Sequence, residues 1–214
     1  MENNGKKSKK FDVRRLVFTA LMGALSIVLA EVLEFSVPMM PSFIKFELSD
    51  VPAMLASLTM GPVSGVFVVL LKNVWGLFTT KTAGIGELSN FILSTALVLP
   101  AGIIAHKTPK ISRAVIGCLS GAVLMALVSF PSNYFIVYPA YMKVMSLDTI
   151  IGSYQDIVPG VSGLAECLVI FNMPFTFVKG LVAAIVAVVL YKKLRPIFNG
   201  MYRPQGGEST KSAV

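Results

Sequence analysis

Asn172, Thr176 and Lys179 stand at i, i+4 and i+7 of the segment Asn172-Met-Pro-Phe-Thr-Phe-Val-Lys-Gly180. That spacing sets all three on one face of a helix. Their chemistry is hydrogen bonding: Lys brings three donors, and Thr and Asn each donate and accept. The flanking residues are apolar. A charge inside a hydrocarbon-spanning helix is costly, so it faces a protein interior or a water-filled cavity. Pro174 frees the carbonyl four residues back and kinks the helix, and an amide, a hydroxyl and an ammonium beside a kink suit a flat, hydrogen-bonding ligand. The structural alternative is that Lys179 pairs with an internal carboxylate and only ties helices together.

Four more segments carry polar groups in apolar surroundings. In Phe46-Glu-Leu-Ser-Asp-Val-Pro-Ala53, Ser49 or Asp50 reads as a helix N-cap with Pro52 in the first turn. Glu47 lies outside that cap, free for a ligand or for Lys45. In Leu71-Lys-Asn-Val-Trp75, Lys72 demands a partner, with Glu47, Asp50 and Glu87 as candidates, and Asn73 adds an amide. Trp75 is either an interfacial anchor or a stacking plate. In Gly86-Glu-Leu-Ser-Asn-Phe91, Glu87 complements a helix dipole, while Asn90, one turn deeper, is the better ligand candidate. In Ser129-Phe-Pro-Ser-Asn-Tyr-Phe135, Asn133 follows Pro131, and Tyr138 and Tyr141 come after it. Aromatics there either sandwich a planar ring or form an interfacial belt.

The elements that hold these residues follow from charge and hydropathy. The chain has 214 residues, 55% hydrophobic and 14% charged, against roughly a quarter charged in soluble domains. Uncharged runs at 16–30, 51–71, 88–105, 114–140 and 180–191 approach the length that crosses a bilayer. The first is not read as a cleaved signal peptide, because no small-x-small site precedes Glu31 and Glu34. The net charge of +8 is clustered at Lys6 to Arg15, at Lys107, Lys110 and Arg113, and at Lys192 to Arg203. Clusters flanking apolar helices mark cytoplasmic ends and contact anionic lipid; this distribution argues against nucleic acid.

Placing the three basic regions on one side requires an even number of crossings between them. Gly61-Pro62 breaks the long apolar stretch from Val51 to Phe78. Crossings at 16–37, one ending near Met60, 62–78, 88–105, 114–138 and 163–191 then satisfy the rule. The second is short: it starts earlier, near Phe43, or crosses only partly. The fold class is therefore an all-α integral membrane protein with six transmembrane helices and both termini cytoplasmic. Residues 1–13 and 199–214 are read as mobile cytoplasmic tails around a membrane domain at 14–198. The acids then gather toward the outer ends, which predicts a pocket open to the outside, with 36–45 and 143–162 as lids. Cys118 and Cys167 read as small apolar packing residues. His106, the only histidine, falls on a cytoplasmic loop, which excludes His-pair metal sites and a Ser-His hydrolase in the outer half. No Walker A sequence is present, so the chain does not power transport with ATP by itself.

The segments quoted above, in this order and with the Ala20-Leu-Met-Gly-Ala24 pattern on the first helix, resemble the substrate-binding S components of energy-coupling factor (ECF) vitamin transporters, the riboflavin-specific ones most of all. The resemblance covers about residues 14 to 195. It implies a multi-pass protein of the bacterial plasma membrane that is no enzyme and holds no cofactor. It captures riboflavin outside and works with a membrane coupling subunit and two ATP-binding-cassette ATPases. Ala20 and Ala24 match the small-residue pattern that meets the coupling subunit, and small residues four apart let another helix approach closely. Asn133 and Lys179 match ligand-binding positions. Thr176 stands where some relatives carry asparagine.

Riboflavin's tricyclic ring, edged by carbonyls and nitrogens, needs apolar walls and a few convergent polar groups. Asn133, Thr176 and Lys179 suit that edge, Asn172 is a further substrate-binding candidate, and the contacts to the hydroxylated tail are expected among Glu47, Lys72, Asn73, Glu87 and Asn90. The ligand has no phosphate, and no arginine lies between Arg15 and Arg113 or between Arg113 and Arg195. The alternatives are an S component for another vitamin, a polytopic membrane enzyme acting on lipid, and a stand-alone facilitator.

Overall fold

The computed structural model describes residues 13–38, 40–41, 44–80, 82–106 and 110–201. The expectations for the tails up to residue 12 and beyond 201, and for Phe43 and Lys107, lie outside the described residues.

Among the described residues, five helical segments are long and apolar enough to cross a membrane: 13–32, 62–79, 85–105, 111–141 and 164–196. The first is α1 (Val13–Val32). It stops five residues short of the expected Val37, because Phe35–Ser36 (β1) turns away to pair antiparallel with Lys45–Phe46 (β2). Next come α2 (Asp50–Met60), α3 (Pro62–Thr79) and α4 (Ile85–Ala105). The Gly-Pro break between α2 and α3 is as read: Gly61 has φ +99°, a conformation glycine adopts without steric cost, and Pro62 opens α3, where its missing N–H costs nothing.

α2 has 11 residues, a rise of about 17 Å that reaches only part way across a bilayer. Ten of those residues are buried, so it is a core helix rather than a lipid-facing one. Val51, Met54, Leu55 and Leu58 pack with Val68 and Val69 of α3 and Leu97, Val98 and Ala101 of α4. The same core takes in Cys118, Ala122 and Met125 of α5 (Ile111–Ser132) and Ala183, Ala184 and Ala187 of α9 (Met173–Met201). α4 and α5 approach closely at Gly117, where a Cβ would lie 3.0 Å from the Ala101 backbone. The outward faces are apolar as well: Leu21, Val63, Ile116, Leu127 and Ile185 are all exposed, as helices solvated by hydrocarbon require.

The two spans that carry Pro139 and Pro174 are not continuous α-helix. A π-helical turn at Asn133–Val137 links α5 to α6 (Tyr138–Tyr141), and a second at Leu168–Asn172 links α8 (Leu164–Cys167) to α9. The N–H of Tyr138 bonds the carbonyl of Asn133, and that of Met173 the carbonyl of Leu168, five residues back in each case. Each π turn ends two residues before a proline. A proline ring crowds the carbonyl four residues earlier and gives it no N–H, and one extra residue in the turn relieves both problems. The kink expected at Pro174 thus takes the form of a widened turn.

The connection at 143–162, expected as a lid loop, contains α7 (Leu147–Gln155). Its Ser146 Oγ accepts the Thr149 N–H as a genuine N-cap. Ile150 and Tyr154 enter a second core with Val137, Tyr138, Val161, Cys167, Leu168 and Phe171. His106 is the C-cap residue just past α4, with Nδ1 3.2 Å from the Thr59 carbonyl. Trp75 is 48% exposed and stands apart from the cavity described below, which is the anchor role.

Candidate functional site: a charged cavity at one end of the bundle

The helices alternate in direction. Arg14, Arg15, Lys110, Arg113, Lys192, Lys193 and Arg195 therefore gather at one end, and the cavity opens among the opposite ends of α1, α3, α4, α6 and α9. Its volume is about 350 Å³, within the range of small-molecule sites. No residue of α2 lines it, but Glu47, just before α2, does. The shortness of α2 leaves a column of space above its N-terminus, and α3, α4, α5 and α9 wall that column.

Glu47, Lys72, Asn73, Glu87, Asn90, Asn133, Asn172, Thr176 and Lys179 all line this one cavity. Their sequence separations span the chain, and the antiparallel packing of four helices converges them. The charges sit at its base. Lys72 Nζ lies 2.7 Å from Asp50 Oδ1, 2.7 Å from Ser49 Oγ and 3.3 Å from Glu47 Oε1, so its three donors are all engaged. Lys179 Nζ reaches Glu47 Oε1 at 3.3 Å and Asn90 Oδ1 at 3.2 Å. Among the described residues that leaves one of its donors facing the cavity. Asn90 Nδ2 also donates to Glu47 Oε1, at 2.5 Å. Two ammoniums and two carboxylates balance, which allows four charges at most 7% exposed to share a low-dielectric site.

This arrangement corrects three readings. Ser49 precedes α2 but makes no side-chain cap bond, and Asp50 is no cap either. Both serve Lys72, since a buried ammonium outbids a backbone N–H for a carboxylate. Lys45 pairs with Glu34 rather than Glu47, because the hairpin turns it toward the end of α1. Glu87 is no partner of Lys72: it accepts hydrogen bonds from Thr80 Oγ1 at 2.9 Å and Thr82 Oγ1 at 3.3 Å, bracing the turn before α4.

The amides are set by the widened turns. Asn133 opens the first π turn and accepts a long bond from Ser89 Oγ, 3.5 Å. Asn172 closes the second. Thr176 Oγ1 donates to Ser129 Oγ at 3.4 Å. Asn73 Nδ2 returns to the Val69 carbonyl at 2.8 Å, which leaves its own carbonyl oxygen as the acceptor it can offer. Tyr138 and Tyr141 line the cavity, whereas Phe135 is 70% exposed, so the aromatic segment divides between pocket and belt. Ser89 and Phe175 also line it and were missed. Phe175 sits within the quoted segment Asn172 to Gly180, but an aromatic near a lysine in an apolar helix carries no signal of its own. It packs edge-on against Phe46 of the hairpin, 6.3 Å between ring centroids, and Phe46 stacks near Phe35 at 5.3 Å.

Comparison with known proteins gives a consistent result. Residues 14–191 match the family model for the ECF transporter, substrate-specific component. The chain is 29% identical over 192 residues to the riboflavin transporter RibU of Staphylococcus aureus (strain TCH60), covering 90% of this chain and 96% of that protein. It is 29% identical over 187 residues to the riboflavin transporter FmnP of Bacillus subtilis (strain 168), covering 86% and 93%. A solved structure of the S component of a bacterial ECF transporter superposes with a TM-score of 0.67 at 27% identity, over 90% of this chain and all of the other.

Proposed function

Because the chain belongs to the family of ECF transporter substrate-specific components, and is therefore a multi-pass membrane protein and not an enzyme, we propose that it captures riboflavin in the cavity at the end of the bundle opposite its basic clusters. It hands the vitamin inward with a membrane coupling subunit and two ATP-binding-cassette ATPases. Riboflavin is cargo here, not a resident cofactor. The observation that carries the assignment is the Lys179 ammonium, which keeps a donor for the cavity while its neighbour Lys72 has none to spare. The names of the relatives RibU and FmnP supply the vitamin.

The chemistry agrees. Leu93, Met125, Val137 and Phe175 offer apolar wall to a tricyclic ring, and Asn133, Asn172, Thr176 and Lys179 converge polar groups on its edge. No arginine lines the cavity, as befits a ligand without phosphate. Small molecules carried through purification are expected to include a flavin by mass spectrometry, and titrated riboflavin is expected to lose its fluorescence at near-stoichiometric protein. A different vitamin found in the purified protein, with no riboflavin binding, would reject the substrate and keep the class.

Ala20 and Ala24 both lie on the exposed face of α1, away from the buried Thr19, Gly23 and Ser26. We place the coupling subunit there, since small side chains let a second helix approach. Leucine at either position is expected to preserve riboflavin capture and abolish uptake in vesicles that contain the ATPase module. Undiminished uptake would remove this face from the docking surface.

A further inference from the structure

A second polar assembly joins two residues of the cavity lining to a tyrosine outside it. Tyr138, Tyr154 and Asn172 are 2%, 0% and 7% exposed, and their polar atoms close a ring. Tyr154 Oη donates to Asn172 Oδ1 at 2.7 Å, Asn172 Nδ2 donates to Tyr138 Oη at 3.1 Å, and the two tyrosine hydroxyls bond each other. The members come from α6, from α7 and from the second π turn. Tyr138 and Asn172 line the cavity; Tyr154 does not.

The ring constrains both geometry and motion. In a buried site, a broken member leaves a polar group unpaired, which costs more than the bond itself contributes. Tyr154 therefore holds the carbonyl end of the Asn172 side chain, Tyr138 takes one N–H, and the second N–H stays outside the ring. The same bonds clamp α7, whose apolar anchors Ile150 and Tyr154 lie in the second core with Val161 and Cys167. That core backs Val137 and Tyr138, which form part of the cavity wall.

We infer that Tyr154 is a positioning residue: from outside the cavity it orients the Asn172 amide toward the ligand and clamps α7 against the cavity wall. The orienting role rests on the riboflavin reading above; the clamp does not. Tyr154→Phe deletes one hydroxyl and keeps the ring that packs on Phe171, 5.2 Å between centroids. In the full-length protein it is expected to weaken riboflavin binding roughly five- to tenfold, the worth of one buried hydrogen bond. In an Asn172→Ala background, the same change is expected to add almost nothing, because its route to the ligand is gone. Equal costs in both backgrounds, or no cost in the parent, would overturn the orienting role.

The clamp is read without any ligand. Cys167 lies in the second core and Cys118 in the main one, both fully buried. Maleimide labelling, resolved by peptide mass, is expected to reach Cys167 about tenfold faster in Tyr154→Phe while Cys118 stays protected, as local opening of α7 requires. An unchanged Cys167 rate would overturn the clamp. So would a parallel rise at Cys118, since it would mean that the ring supports the whole bundle. Faster Cys167 labelling in Tyr154→Phe, together with a parent protein that binds no riboflavin, would keep the clamp and reject the flavin.

Discussion

Lys179→Ala is expected to lower riboflavin affinity by roughly a hundredfold while the protein remains folded. The two consequences separate because of what remains. Glu47 keeps Lys72 at 3.3 Å and Asn90 at 2.5 Å, so its carboxylate is still paired. The ligand loses the buried ammonium at the charged cluster that has a donor to give. A charge-assisted bond in a dry site is about twice as strong as a neutral one, and Asn133 or Thr176 has no means of replacing it. Lys179→Met, which keeps the apolar stem, is expected to bind as poorly as the alanine variant. Flavin fluorescence titration of both variants decides the matter. Dissociation constants equal to the parent's would make Lys179 an architectural residue and empty the site of its centre.

Lys72→Ala, by contrast, is expected to damage the fold itself. Asp50 is fully buried, and its Oδ1 accepts from Lys72 Nζ at 2.7 Å. Removing the ammonium strands that carboxylate and leaves Glu47 with Lys179 and Asn90. Breaking a buried pair from one side costs about 3–5 kcal/mol. Much of that returns if the second charge is removed as well, because a neutral pair needs no compensation. Thermal unfolding of the ligand-free protein should therefore place Lys72→Ala far below the parent and Lys72→Met combined with Asp50→Asn close to it. Similar midpoints for the single variant and the parent would mean that water or bilayer distortion relieves the charge, and the balanced-cluster account would fall.

The two lysines illustrate what could be read from residues and what could not. Both stand in apolar helices, and the expense of a charge there announces that each has a function. Composition and periodicity also place α3, α4, α5 and α9, because uncharged runs near bilayer length admit few other interpretations. The Gly61-Pro62 break follows from steric rules at a single bond, and the structure has it where those rules put it. Harder to read were the places where the chain departs from a regular helix. The π turns at 133–137 and 168–172 leave the same hydrophobic pattern as an α-helix with one residue too many. The hairpin at Phe35 and Phe46 is two residues per strand, too short for any alternation to show.

The partners of each charge were beyond local reasoning as well. Asp50 has the spacing of a helix cap, and only the arrival of Lys72 from α3, 22 residues away, turns it into an ion-pair member. By itself, then, the sequence determined that this protein lives in a membrane, where its helices run, and which buried polar groups had to have a purpose. Hydrophobic and charge costs act residue by residue, so they can be summed along a chain. Tertiary structure alone decided which ammonium is saturated and which keeps a donor, that the short α2 leaves a cavity above it, and that Tyr154 meets Asn172. Those outcomes depend on distances between segments far apart in the chain, and no local energy term contains them.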